Sequence, residues 1–312
     1  MLRSALLVAV VSLSHVAAFS QSQPAADPFA YDSRLPLDFR EAGVEQLPGA
    51  SVHDVSYASP KGGRVPAYLV VPEGRGPFAA IEFVHWGQGD RTEFLSEALV
   101  YAKGGAVSLM IDAPYRRPEY PQSPSFIDNP QADRDLYVQL VIDARRGLDL
   151  LLSRTDVDPK RVAYVGHSLG ATWGGALAGV ERRVGAYVLM GGLPSITDFS
   201  GDGAFARDVR KNYKPEQIEK YAALVSPINP ENFVGCASGA RLFFQFARWD
   251  RYISREAAAR YVGAAPRPKI ERTYNTSHEF NDLNSRCDRI TWIIEALRLS
   301  GAARPPACAA TR

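Results

Sequence analysis

Arg161-Val162-Ala163-Tyr164-Val165-Gly166-His167-Ser168-Leu169-Gly170-Ala171-Thr172-Trp173-Gly174-Gly175-Ala176-Leu177-Ala178 is the stretch that decides the fold. Its first five residues read as a buried strand and its last eight as a helix of mostly small residues. Between them stands a G-x-S-x-G pentapeptide, residues 166–170. A turn that sharp puts its central residue in strained backbone geometry, so the residues two away on each side must be small. Gly166 and Gly170 meet that need. The Ser168 hydroxyl then stands exposed above the sheet at a helix N-terminus, where backbone N–H groups favour developing negative charge. The pentapeptide alone is only moderately specific, because an N-capping serine in a plain strand-to-helix turn has the same letters. Its partners must decide.

A serine hydroxyl is a poor nucleophile without a base in hydrogen-bond reach. The chain holds five histidines. His15 lies in an apparent targeting segment, His53 in the first strand region, and His85 at the end of a strand leading to another loop. His167 neighbours the serine, but its side chain should leave the turn in a different direction. His278 follows the serine, after the last apolar strand (residues 269–274) and before the final amphipathic helix. For folds with this elbow the order along the chain is serine, acid, histidine. His278 is the one candidate that fits.

The acid belongs between them, at the C-terminal end of a strand. Arg241-Leu242-Phe243-Phe244-Gln245-Phe246-Ala247 is the strongest buried-strand signal in that interval, and Asp250 follows it. An acid there accepts the imidazole N–H, fixes the tautomer and stabilises the imidazolium. The plainer alternatives are a helix cap or a salt bridge with Arg248, Arg251 or Arg255. Asp198, Asp202 and Asp208 fall in an irregular segment, and Asp282 would break the expected order. An oxyanion hole completes the set. The elbow offers the Leu169 N–H, and the loop after Ala79–Val84, His85-Trp86-Gly87-Gln88-Gly89-Asp90, offers a second donor. Gly87 is the choice and Trp86 the alternative, each such donor being worth about 10²–10³ in turnover. His85 is expected to order this loop rather than do chemistry.

With these residues in place, the chain resembles an α/β-hydrolase of the branch shared by dienelactone-hydrolase-like, acetyl-xylan-esterase-like and prolyl-oligopeptidase-like enzymes. The resemblance runs from about Val52 to Leu299. Tyr57–Pro72 resembles that branch's opening hairpin, and Val157–Ala163 its lead-in to the elbow. Two departures stand out. Trp86 occupies a position where the branch usually has glycine, and Ser168 replaces the cysteine nucleophile of dienelactone hydrolases proper. The resemblance implies a mostly parallel eight-stranded sheet with helices on both faces, and ordinary serine ester chemistry without a cofactor.

The rest of the chain agrees with one large α/β unit over residues 21–312. Strands alternate with helices, as in a parallel sheet covered on both faces. The hydrophobic share of 46% is ample for a core. A net charge of +2, from 36 basic and 34 acidic side chains, comes with no basic run to suggest nucleic acid. Residues 1–20 read as a signal peptide. A short positive start precedes an apolar core too short to span a bilayer, with small residues for cleavage near 18–20. A periplasmic or secreted enzyme is expected, with no membrane span.

Cys236, Cys287 and Cys308 then sit in an oxidising compartment, which allows one disulfide whose pairing is left open. No His, Cys or acidic cluster has metal spacing, so no metal is expected. Residues 21–50 are expected to wrap the surface. Two segments interrupt the alternation. One is proline-rich, residues 115–132. The other, residues 193–235, is a lid or pocket wall after the sixth strand, far longer than an ordinary connection. Trp86, Tyr115, Trp173 and Trp249 are candidates to line a pocket, although a tryptophan placed as Trp173 is more often core than substrate contact.

The leading function is hydrolysis of small-molecule carboxylic esters. The alternatives are a small peptidase of the oligopeptidase-like type and a non-catalytic binding protein on the same scaffold. Substrate identity and oligomeric state do not follow from these residues, since fold analogy gives only a reaction class.

Overall fold

The computed structural model describes residues 27–118, 127–201, 203–300 and 304–309. The expected signal peptide lies outside them, as do residues 119–126 of the proline-rich segment. The elements in chain order are β1 (Arg40–Leu47), β2 (Ala50–Ala58), β3 (Arg64–Pro72), β4 (Phe78–Val84), α1 (Leu95–Ala102), β5 (Ala106–Ile111), α2 (Pro130–Leu152), β6 (Val157–His167), α3 (Leu169–Val180) and β7 (Ala186–Met190). They continue with α4 (Ala204–Asn212), α5 (Pro215–Val225), α6 (Glu231–Val234), β8 (Arg241–Trp249), α7 (Arg255–Ala264), β9 (Lys269–Ser277), α8 (Leu283–Leu297) and α9 (Pro306–Ala309). The strands form one sheet in the order β1-β2-β3-β5-β4-β6-β7-β8-β9. The pairs β1/β2, β2/β3 and β3/β5 are antiparallel, and every pair from β5 to β9 along the sheet is parallel.

Two expectations need correction. The sheet has nine strands rather than eight, because Arg40–Leu47 pairs with β2 instead of merely wrapping the surface. Seven of its eight residues are exposed, so it lacks the apolar alternation that marks a strand in sequence. With that strand counted, the long insertion follows the seventh strand rather than the sixth. The proline-rich segment expected to interrupt the alternation over residues 115–132 also ends earlier, because its last three residues already belong to α2. Pro130 opens α2, and the Asn129 side chain caps it by accepting the Ala132 N–H at 3.2 Å.

The period-2 alternation of β4 sorts two cores. Ala80 and Val84 face one, with apolar side chains of α2, α3 and α7. Ala79, Ile81 and Phe83 face the other, with α1 and α8. Glu82 shares the first face and is fully buried; a Cβ on Gly147 of α2 would strike its carboxyl. A Cys287–Cys308 disulfide ties α8 to α9, and Cys236 is free and exposed. Among the described residues no helix is long and apolar enough to cross a membrane, and no group of three or more His, Cys, Asp or Glu is arranged to hold a metal.

Candidate active site

Ser168 sits between β6 and α3 with φ 52° and ψ −108°. That is the left-handed region, costly for a residue with a Cβ. The surroundings enforce it. The Ser168 N–H donates to the Met190 carbonyl at 2.7 Å, and the Ser168 carbonyl accepts the Thr172 N–H at 2.7 Å. The flanking glycines are needed for space. A Cβ on Gly166 would run into the Gly170 backbone, and one on Gly170 into the Val84 carbonyl of β4.

The structure brings the three distant side chains together. Ser168 Oγ lies 2.8 Å from His278 Nε2. His278 Nδ1 lies 2.7 Å from Asp250 Oδ2. The other Asp250 oxygen accepts the N–H groups of Tyr252 at 2.8 Å and Ile253 at 3.0 Å. These bonds turn the carboxylate toward the imidazole, and both side chains are 1% exposed. The Tyr252 ring meets His278 edge-on at 4.7 Å. A hydroxyl on an imidazole on a buried carboxylate is an arrangement that can activate a serine oxygen.

The loop after β4 is held at several points. His85 is buried, and its Nε2 accepts the Ala113 N–H at 3.0 Å. Its Nδ1 therefore carries the hydrogen and donates to the Trp86 carbonyl at 2.6 Å. Burial pushes the His85 pKa down, which favours this neutral form. The Tyr115 hydroxyl donates to the His85 carbonyl at 2.9 Å. The Trp86 carbonyl and the Gly87 N–H share one peptide plane and point opposite ways. Fixing that carbonyl on His85 therefore aims the Gly87 N–H away from it. The Trp86 N–H is committed to Glu93 at 2.9 Å, so of the two loop candidates Gly87 keeps its donor free of that partner. Gly87 also lies against Leu169, whose N–H belongs to the first turn of α3 and has no acceptor within the helix.

A cavity of about 170 Å³ opens on Ser168 and His278. Trp86, Leu169, Leu193, Ile196, Phe205 and Ile253 make its apolar wall, so the long insertion supplies part of it. A second cavity of about 340 Å³ adjoins it through Leu193, Ile196, Phe205 and Tyr252, and adds Asp198, Ser200, Glu256 and Arg260. Of the aromatic residues expected near a pocket, Trp86 lines the first cavity and Tyr115 braces the loop behind it. Trp249 does neither: its side chain is turned to solvent, with the residue 71% exposed. Trp173 is core, stacked on Tyr137. The sequence reading did not foresee Glu93 as a partner of this loop, and nothing in its neighbourhood marks it.

Sheet order, elbow and the meeting of Ser168 with His278 define an α/β-hydrolase. The acetyl xylan esterase (AXE1) family profile matches residues 32–214, more than half of the chain, and the chain belongs to that family. It is thereby a carboxylic ester hydrolase. The match includes Ser168 and ends before Asp250 and His278. Among solved structures, an acetyl xylan esterase from Paenibacillus sp. R4 is 23% identical with a TM-score of 0.69, over 84% of this chain and 89% of that one. Acetyl xylan esterase 1 from Thermoanaerobacterium sp. JW/SL YS485 is 15% identical with a TM-score of 0.71, over 86% and 91%. A prolyl endopeptidase structure is 20% identical with a TM-score of 0.63, over 83% of this chain and 40% of that one. At these identities the likeness is one of fold. No match was found among curated proteins.

Proposed function

We propose that the chain is a serine esterase in which Ser168, His278 and Asp250 form the catalytic triad. The unbroken line of hydrogen bonds from a strained Ser168 through His278 to Asp250 carries this reading. Ser168 Oγ attacks the ester carbonyl while His278 Nε2 takes its proton. The Leu169 and Gly87 N–H groups hold the oxyanion. His278 then protonates the leaving alcohol and next activates a water that frees the acid. Asp250 keeps the imidazole proton on Nδ1 throughout.

The substrate is a short acyl ester of a polyhydroxylated alcohol, such as the acetylated xylan of the family's name. The cavity at Ser168 is smaller than the roughly 300–1,000 Å³ of a drug-sized site, which suits a small acyl group. The adjoining cavity, with its carboxylates, serine and arginine, suits a hydroxyl-rich leaving group. Export to the periplasm or medium is part of the same reading. It is supported by the residue pattern of 1–20 and by the Cys287–Cys308 bridge.

Ser168→Ala tests the proposal. Hydrolysis of nitrophenyl acetate should fall by about 10⁴–10⁶, with the fold intact by thermal unfolding. Near-wild-type turnover in that variant would refute the assignment. Nitrophenyl esters of increasing acyl length, and matched anilides, would separate short-acyl esterase from peptidase activity.

A further inference from the structure

A second histidine–acid pair lies behind the first. One oxygen of Glu93 accepts the Trp86 N–H at 2.9 Å, and the other lies 2.6 Å from His167 Nδ1. His167 Nε2 lies 2.8 Å from the His278 carbonyl. A carbonyl only accepts, so Nε2 carries a hydrogen. Two facing lone pairs at the Nδ1–Glu93 distance would repel, so another proton sits between those atoms. Four groups are thus joined in a row: Trp86 amide, Glu93 carboxyl, His167 imidazole and His278 carbonyl.

The packing around this row is close. The His167 side chain is 2% exposed. Its ring stacks on Trp86, with centroids 5.6 Å apart and planes 13° from parallel, and meets Phe280 edge-on at 5.6 Å. A Cβ on Gly89 would press into both Trp86 and the Glu93 carboxylate.

The row spans a gap that the sheet leaves open. Trp86 and Gly87 follow β4, and His278 follows β9, with β6, β7 and β8 between those two strands. No ladder hydrogen bond relates the oxyanion loop to the histidine loop. We infer that Glu93 and His167 are positioning residues, a strut that sets the Gly87 N–H and the His278 imidazole at their working separation over Ser168. His85 holds the Trp86 carbonyl while Glu93 holds its N–H, so both ends of that residue are fixed. The inference rests on the triad proposed above, and its test is built to fail separately from it.

Four variants of the full chain, assayed on nitrophenyl acetate, decide the matter. Glu93→Leu and His167→Phe keep much of the volume and lose the hydrogen bonds. Each should lower kcat by about 10- to 100-fold, as displacement of reacting groups by about 1 Å does, with KM moving less than about threefold. Because the two side chains act as one strut, the double variant should be no more than about threefold slower than the worse single. Glu93→Gln should stay within about threefold of wild type. Its carbonyl can accept the Trp86 N–H while its amide donates to a neutral His167, which preserves every link. Thermal unfolding of each variant is followed in parallel, and if Glu93→Leu does not fold, His167→Phe and Glu93→Gln carry the test. Wild-type kcat in the single variants, losses that multiply in the double, or a Glu93→Gln as slow as Glu93→Leu would each overturn the strut. Ser168→Ala, run alongside, separates the readings. Its activity would sink the triad, whereas its silence with unimpaired strut variants would sink only this inference.

Discussion

Replacing Asp250 by Asn makes a sharp test, because the local bonding dictates which way the new amide must face. Oδ1 of Asp250 accepts two backbone N–H groups, from Tyr252 and Ile253. In Asp250→Asn the carbonyl oxygen must keep that post, since an NH₂ there would confront two donors. The amide nitrogen is thereby placed where Oδ2 stands, 2.7 Å from His278 Nδ1. It donates to Nδ1, so Nδ1 becomes an acceptor and the ring proton moves to Nε2. Nε2 then presents a hydrogen, not a lone pair, to Ser168 Oγ at 2.8 Å and cannot take its proton. Shape, volume and burial are almost unchanged. The expected loss in kcat is about 10⁴, or roughly 5 kcal/mol in the barrier, with KM nearly constant. Steady-state hydrolysis of nitrophenyl acetate near neutral pH reads this, and thermal unfolding should show a fold close to wild type. Asp250→Ala is the contrast, because it strands two part-buried donors and should cost stability as well, about 1–3 kcal/mol. An Asp250→Asn enzyme within tenfold of wild type would refute the tautomer argument and, with it, the role given to Asp250.

Three further outcomes follow from the packing. Gly170→Ala should cripple turnover and cost about 1–3 kcal/mol, because its Cβ meets the Val84 carbonyl of β4, which is backbone and cannot swing aside; kinetics and thermal unfolding measure both. Glu82 is fully buried, with no hydrogen-bond partner among the described residues, and burial, with Glu181 adding repulsion, holds its carboxyl well above the usual range. Its contribution to stability is complete below the unfolded value of 4.5 and is lost as pH rises through the raised folded value, so Glu82→Gln should flatten that decline when denaturant midpoints are compared at about pH 5 and about pH 9. Cys308→Ser opens a 21-residue loop and should cost at most about 3 kcal/mol, read as the shift in urea midpoint, while leaving kcat unchanged.

What could be read in the residues and what could not divide along a physical line. The elbow was legible because its conformation restricts side chains locally: a serine at φ 52° leaves no room for a Cβ on Gly166 or Gly170, and that restriction is written as letters at fixed spacing. Parallel strands buried on both faces write themselves as apolar runs, so β4 and β8 were found nearly to the residue. The meeting of His278 and Asp250 with Ser168 was legible at one remove, through the order in which strand ends must arrive at a common rim. β1 was not, because an edge strand held by its backbone ladder buries almost nothing and so constrains almost no side chain.

The Glu93–His167 row belongs to the same class as β1, and for a deeper reason. Glu93 is separated from His167 by 74 residues, and His167 from His278 by 111. Nothing local requires an acid at position 93. Its meaning arises only when β4 and β6 become neighbours in the sheet and carry their trailing loops to one rim. His167 was even readable as a bystander, since the elbow turns it away from the serine. That turn delivers it to the far side of the site, where it can bear on the His278 carbonyl without competing for Ser168. The elbow therefore does two things at once: it exposes Ser168 on one side and aims His167 at the backbone of the loop that holds His278.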